Sequence, residues 1–113
     1  MKIEKIKKDK DFQLIYNKGK KEFGYYTLIF FDENDKDQIN LGTVASKKTG
    51  NAVCRNRLRR LIREYFRLNN IKFEKGFNIV CVAKRKAGEN IKTLMYKDIE
   101  KDLNKIFKRS NII

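Results

Sequence analysis

The segment from Ser46 to Leu68, SKKTGNAVCRNRLRRLIREYFRL, constrains the fold more than any other stretch of the chain. Gly50 breaks what precedes it. Asn51 is a good helix N-cap, because its side-chain oxygen can accept a backbone N–H that the first turn leaves unpaired. From Ala52 to Leu68 there is no Gly or Pro, and Leu, Arg and Glu favour helix. At about 100° per residue, Cys54, Leu58, Leu61, Ile62 and Tyr65 fall in one stripe. Asn56, Arg59, Arg60, Arg63 and Arg67 gather opposite, and Arg55 and Arg57 flank the stripe. Such a helix docks on a core by one face and offers guanidinium groups on the other.

Charged helix faces are often only solvated and held by i, i+4 ion pairs. Here Glu64 is the sole acidic residue, within reach of Arg60 and Arg67, and the other arginines have no acidic neighbour at helical spacing. Arg outnumbers Lys, and its planar fork suits phosphates and base edges. The net charge of +14 over 113 residues extends the argument to the whole chain: a partner rich in negative charge and binding that salt weakens. A membrane surface ranks below RNA, because the cations are spread over several elements and form no amphipathic anchor. No apolar run approaches the ~20 residues of a membrane span, and no secretory signal pattern is present, so a cytoplasmic protein is expected. The length suits one RNA-binding domain over residues 1–113 with a single core. Cys54 and Cys81 lie outside any CxxC or metal-ligand spacing and read as structural thiols. There is no His, which removes the commonest general base and a common zinc ligand of nucleases.

Residues 1–8 are Lys-rich and read as flexible or extended. Asp9 can cap a short helix over Lys10 to Lys18, ended by Gly19; Phe12, Ile15 and Tyr16 share one side of it, and by periodicity Phe12 and Tyr16 are ordinary core residues. Lys20 to Phe23 fits a short edge strand, and Tyr25 to Phe31 a strong β-branched and aromatic one. The acidic run Asp32 to Asp37 lacks the spacing of a calcium loop and reads as a solvated hairpin tip. Gln38 to Ser46 returns as a strand whose Gly42 marks a bulge or a close backbone approach. After the basic helix, Phe77 to Ala83 has the apolar character of a central strand buried on both faces. Lys84 to Lys86 follow, then a loop over Ala87 to Thr93, then a helix over 95–109 with Met95, Ile99, Leu103, Ile106 and Phe107 as its stripe. The order αβββαβα predicts an α+β two-layer sandwich of about four mixed strands and three helices. Within it a β-α-β unit makes strands 38–46 and 77–83 parallel, with a right-handed crossover as the physical default.

The run Gly50-Asn51-Ala52-Val53-Cys54-Arg55-Asn56-Arg57-Leu58-Arg59-Arg60 resembles the RNR signature of the bacterial ribonuclease P protein subunit, and the likeness extends from about Asp11 to Arg109. It implies the small partner of a catalytic RNA that removes the 5′ leader of precursor tRNA. It also implies a ribosomal protein S5 domain 2-like fold with a left-handed crossover. On that likeness Lys47, Lys48, Arg55, Asn56, Arg57, Arg59, Arg60 and Arg63 contact the RNA subunit. Phe12 and Tyr16, with the strand face around Thr27 and Ile29, line a cleft for the single-stranded leader, where base stacking on rings is sequence-tolerant. Catalytic Mg²⁺ would be held by RNA ligands and phosphates. The chain shows no HxxxH, paired-carboxylate motif or Ser/His/Asp set, so no catalytic or metal residue and no small-molecule substrate is expected of the protein itself. The alternatives are a ribosomal or other structural RNA-binding protein, which could share charge and fold, and a protein-only nuclease.

Overall fold

The most apolar strand of the chain takes the middle of the sheet. In the computed structural model, which describes residues 1–113, Phe77–Ala83 (β5) is the central strand of five. Gln38–Val44 (β4) runs parallel to it on one side and Thr27–Glu33 (β3) antiparallel on the other. Lys2–Lys5 (β1), parallel to β4, and Lys20–Phe23 (β2), antiparallel to β3, form the two edges. The parallel β-α-β unit runs through the helix Ala52–Asn69 (α2), as expected. The hairpin reading of residues 32–37 is not met, because β5 stands between β3 and β4. Ile79, Val80 and Cys81 are all fully buried, and only an interior position covers both faces of such a strand. Asn34 braces the connection, donating to the Gln38 carbonyl (3.2 Å) and to Asn78 Oδ1 (3.1 Å).

Side chains alternate between the two faces of a strand, and the two faces differ here. Ile29, Phe31, Ile39, Leu41, Ile79 and Cys81 meet α2 and the C-terminal helix Tyr96–Arg109 (α4) in a core of 21 buried residues. The opposite face has a small core of Ile6, Ile15 and Val80, beneath the helix Asp9–Lys18 (α1). Strand pairing and alternation arrange that second face in three rows. Glu4, Asn40, Asn78 and Asp32 form a polar row, Ile6, Gly42, Val80 and Phe30 a middle row, and Val44, Val82, Leu28 and Phe23 an apolar row. Helix α1 lies over the middle row and leaves the outer two open. Gly42 is the close approach expected of it: a Cβ there would overlap the Phe12 ring, coming within 2.8 Å of Cζ.

Several local expectations change. Of the flexible and extended readings of the N-terminus, residues 2–5 take the extended one and pair with β4, because Ile3 packs on the main core and Ile6 is buried in the second; the lysines between them suit an edge strand. The region read as a loop over 87–93 begins with a short helix, Arg85–Glu89 (α3). It is a tertiary product: Ala87 is buried, and Gly88 sits so close to the Thr49 backbone that no Cβ would fit. Lys8, not Asp9, is the N-cap of α1, and Asp9 and Asp11 occupy its first turn, where carboxylates favour the helix dipole. Met95 is left outside the α4 stripe, 56% exposed at the N-cap position, where its N–H donates to Asp98 (2.8 Å).

Candidate nucleic-acid interface

Helix α2 begins as the sequence predicts, with the Asn51 side chain accepting from the Cys54 N–H at 2.9 Å. Leu58, Ile62, Tyr65 and Phe66 bury its apolar face, while Asn56, Arg57, Arg60, Arg63 and Arg67 remain exposed. Lys47 and Lys48 project from a 3₁₀ turn just ahead of the helix, capped by Ser46. The cations are not equally free. Arg57 Nη2 donates to the Leu94 carbonyl (2.9 Å), tying α2 to the segment before α4. Arg59 reaches Asn56 Oδ1 (2.9 Å) and the Ala45 carbonyl (3.2 Å), so it braces the end of β4 and is only half-exposed. Arg63 makes one long contact, 3.5 Å to Thr43 Oγ1. Arg67 pairs with Glu64, whose carboxyl is held below its usual range first by that hydrogen bond. Arg60 has no partner within the chain, and the buried Arg55 Nε has none either. A guanidinium carries five donors, so Arg57 and Arg59 keep several for an outside acceptor.

The second surface lies across the sheet, on the flank of α1 that faces the apolar row. Phe12 and Tyr16 are half-buried there, with ring centroids 6.5 Å apart. The Phe30 ring meets Tyr16 edge-on at 4.8 Å. Lys21 Nζ stands 5.2 Å from the Phe23 centroid and 5.5 Å from that of Phe30. Desolvation raises the Tyr16 hydroxyl above its ordinary pKa, so it stays neutral and can donate. Half-exposed rings beside a cation offer stacking surface to unpaired bases.

Thr27 and Ile29 do not belong to this surface. Both are fully buried on the α4 side, and the Thr27 hydroxyl donates to Asp102 Oδ2 at 2.8 Å. Their strand neighbours Leu28 and Phe30 lie on the other side of the sheet, where Phe30 packs against α1 and Leu28 pairs with Val82, since a shift of one residue reverses every side chain of a strand. Tyr25 to Phe31 is β-branched and aromatic with almost no polar interruption, so alternation carries little signal of which face is which. Phe30, Leu28 and Lys21 were therefore missed; the one usable hint was an aromatic at position 30 in a strand expected to carry part of the cleft.

The two surfaces meet. Phe12, Gly42 and Thr43 line a groove of about 400 Å³ together with Arg60, Arg63 and Arg67. One concavity thus joins a stackable ring to the guanidinium face.

Known proteins share this sequence pattern and fold. The ribonuclease P family model matches residues 1–111. The chain belongs to the ribonuclease P protein family. The ribonuclease P protein component of Fusobacterium nucleatum is 56% identical over 108 residues, covering 96% of this chain and 97% of that one. That of Clostridioides difficile is 39% identical over 108 residues, covering 95% and 91%. Among solved structures, the RNase P protein of Thermotoga maritima superposes with a TM-score of 0.85 at 34% identity, covering 94% of this chain and 96% of that one. The Staphylococcus aureus RNase P protein gives 0.83 at 31%, covering 96% and 95%. Family membership makes the chain a subunit of the endoribonuclease ribonuclease P, with RNA binding and tRNA processing as its role and the ribonuclease P RNA as its partner. It sets aside the ribosomal alternative. No group of three or more His, Cys, Asp or Glu side chains is placed to hold a metal ion.

Proposed function

We propose that this subunit holds two RNAs, one on each side of its sheet, and performs no bond cleavage itself. The α2 face, with Lys47, Lys48, Arg55, Asn56, Arg57, Arg59, Arg60 and Arg63, binds phosphates of the RNA subunit. The α1 flank, with Phe12, Tyr16, Phe30 and Leu28, receives the single-stranded leader of precursor tRNA. The observation that carries this reading is the shared groove of Phe12, Arg60 and Arg63, which puts a base-stacking ring beside guanidinium groups that form no ion pair. Mg²⁺ is held by the RNA subunit and substrate phosphates, and the complex works in the cytoplasm. The protein's +14 charge lowers the repulsion between two polyanions that Mg²⁺ would otherwise have to screen.

Reconstitution tests this. Protein alone with precursor tRNA and Mg²⁺ should yield no mature 5′ end. Adding the RNA subunit should yield it at a lower Mg²⁺ concentration than the RNA subunit needs alone. Hydrolysis at the processing site by RNA-free protein would overturn the division of labour.

A further inference from the structure

Helix α1 has a second open flank, and its floor is made of amides. In the polar row, Gln38 Nε2 donates to Asn40 Oδ1 (2.6 Å), Asn40 Nδ2 to Asn78 Oδ1 (2.7 Å), and Asn78 Nδ2 to Asp32 Oδ1 (3.0 Å). The hydrogen bonds run one way across three strands and end on a carboxylate. Each side-chain amide has two N–H donors, and Asn40 and Asn78 each spend one, while Asp32 Oδ2 has no partner. Above this floor is a trench of about 550 Å³ walled by Lys5, Lys7, Lys8, Lys18 and Lys36. None of those five lysines forms an ion pair. The carboxylates in the trench are Glu4, Asp11 and Asp32, and Glu4 is held by Lys2 at 2.7 Å, so ammonium groups are in excess.

This trench and the Phe12 groove share Lys5 and Ile6. They therefore join around the N-terminus of α1, over a pass flanked by Lys5, Lys7 and Lys8. We propose that the trench is a second nucleotide site, which takes the part of the leader farther from the cleavage point. The lysines neutralise phosphates, and the free amide N–H groups and the Asp32 oxygen hydrogen-bond a base edge. Single-stranded RNA is read in this way once its bases are unstacked. The aromatic flank tolerates any base, since every base has a stacking face; the amide floor discriminates, since donors and acceptors must match. The occupant is the leader, because the trench flanks α1, the helix that carries Phe12 and Tyr16, and its lining includes no residue of α2. The inference rests on the leader reading above.

The test uses the assembled ribonucleoprotein and precursor tRNAs whose leaders lengthen one nucleotide at a time. Affinity should rise in two stages, the first sensitive to Phe12→Ala and the second, at longer leaders, worth about tenfold for a few hydrogen bonds and phosphate contacts. Asn40→Ala, or the surface double variant Lys18→Ala/Lys36→Ala, should remove the second stage and keep the first. Abasic nucleotides at the distal leader positions should remove it in the unaltered protein. Loss of the first stage everywhere would defeat the leader reading itself. A normal first stage with no second, or a second stage indifferent to the trench variants or to abasic nucleotides, would overturn the trench alone. Weaker RNA-subunit binding by the lysine variant, with the leader series unchanged, would also overturn it. The lysine variant removes exposed side chains only, so the test stands if Asn40→Ala fails to fold.

Discussion

Replacing Phe12 by Ala separates a ring that binds from a ring that only packs. Removing a fully buried phenyl group costs about 3–5 kcal/mol. Phe12 is half-buried, resting on Gly42, so about half of that, ~2 kcal/mol, is expected. For a chain of this size that lowers the melting temperature by roughly 8 °C. If the exposed half stacks on a leader base, precursor binding also loses about 1–3 kcal/mol, or about 5- to 140-fold in Kd. Mature tRNA, which has no leader, should bind the ribonucleoprotein nearly as before. Gly42→Ala provides the control with the ring intact: its Cβ would overlap the Phe12 ring and lift it from the sheet, so precursor selectivity should fall in the same direction. The assay is a pair of titrations, precursor and mature tRNA, alongside a melting curve for each variant. Equal losses for both RNAs, or a lowered melting temperature with selectivity intact, would show that the ring is a packing element only.

Other perturbations test the remaining surfaces. Arg60→Ala with Arg63→Ala should reduce the salt slope of RNA-subunit binding by about 0.7–0.9 for each lost phosphate contact, with melting unchanged; an undiminished slope would make that face merely solvated. Arg59→Ala is expected to cost stability as well, because its guanidinium braces the Ala45 carbonyl. Asp102→Ala should destabilise the fold by about 3–5 kcal/mol, read by denaturant titration: the buried carboxylate accepts from Tyr25 N (2.7 Å), Tyr26 N (3.0 Å) and the Thr27 hydroxyl (2.8 Å), and all three would lose their partner. Burial pushes the Cys81 thiol well above its ordinary pKa, so it should resist thiol reagents until the protein unfolds, while half-buried Cys54 reacts first; mass spectrometry of partly labelled protein checks the order.

The basic helix was legible from residues alone, because everything that makes it a helix is local. Its cap, its lack of breakers and its 3.6-residue periodicity are all within one stretch, and the arginine face is what remains when the apolar stripe is buried. The same holds for β5, whose uninterrupted apolar run announced an interior strand, and for the parallel pairing that a strand, helix and strand impose. Three features required the folded chain. The strand order was hidden, since β3 and β4 are neighbours in sequence and give way to β5 only when a long-range contact buries both of its faces. The edge strand β1 was hidden too, since Ile3 and Ile6 in a lysine-rich terminus acquire meaning only against cores built by distant residues. The face of β3 was ambiguous because Tyr25 to Phe31 has no polar alternation. The family likeness placed Thr27 and Ile29 in the cleft, but they face α4, and Leu28 and Phe30 lie on the α1 side of the sheet. Periodicity reports which residues share a side; which side meets the helix is decided by packing between elements, and a single chain segment contains no record of it.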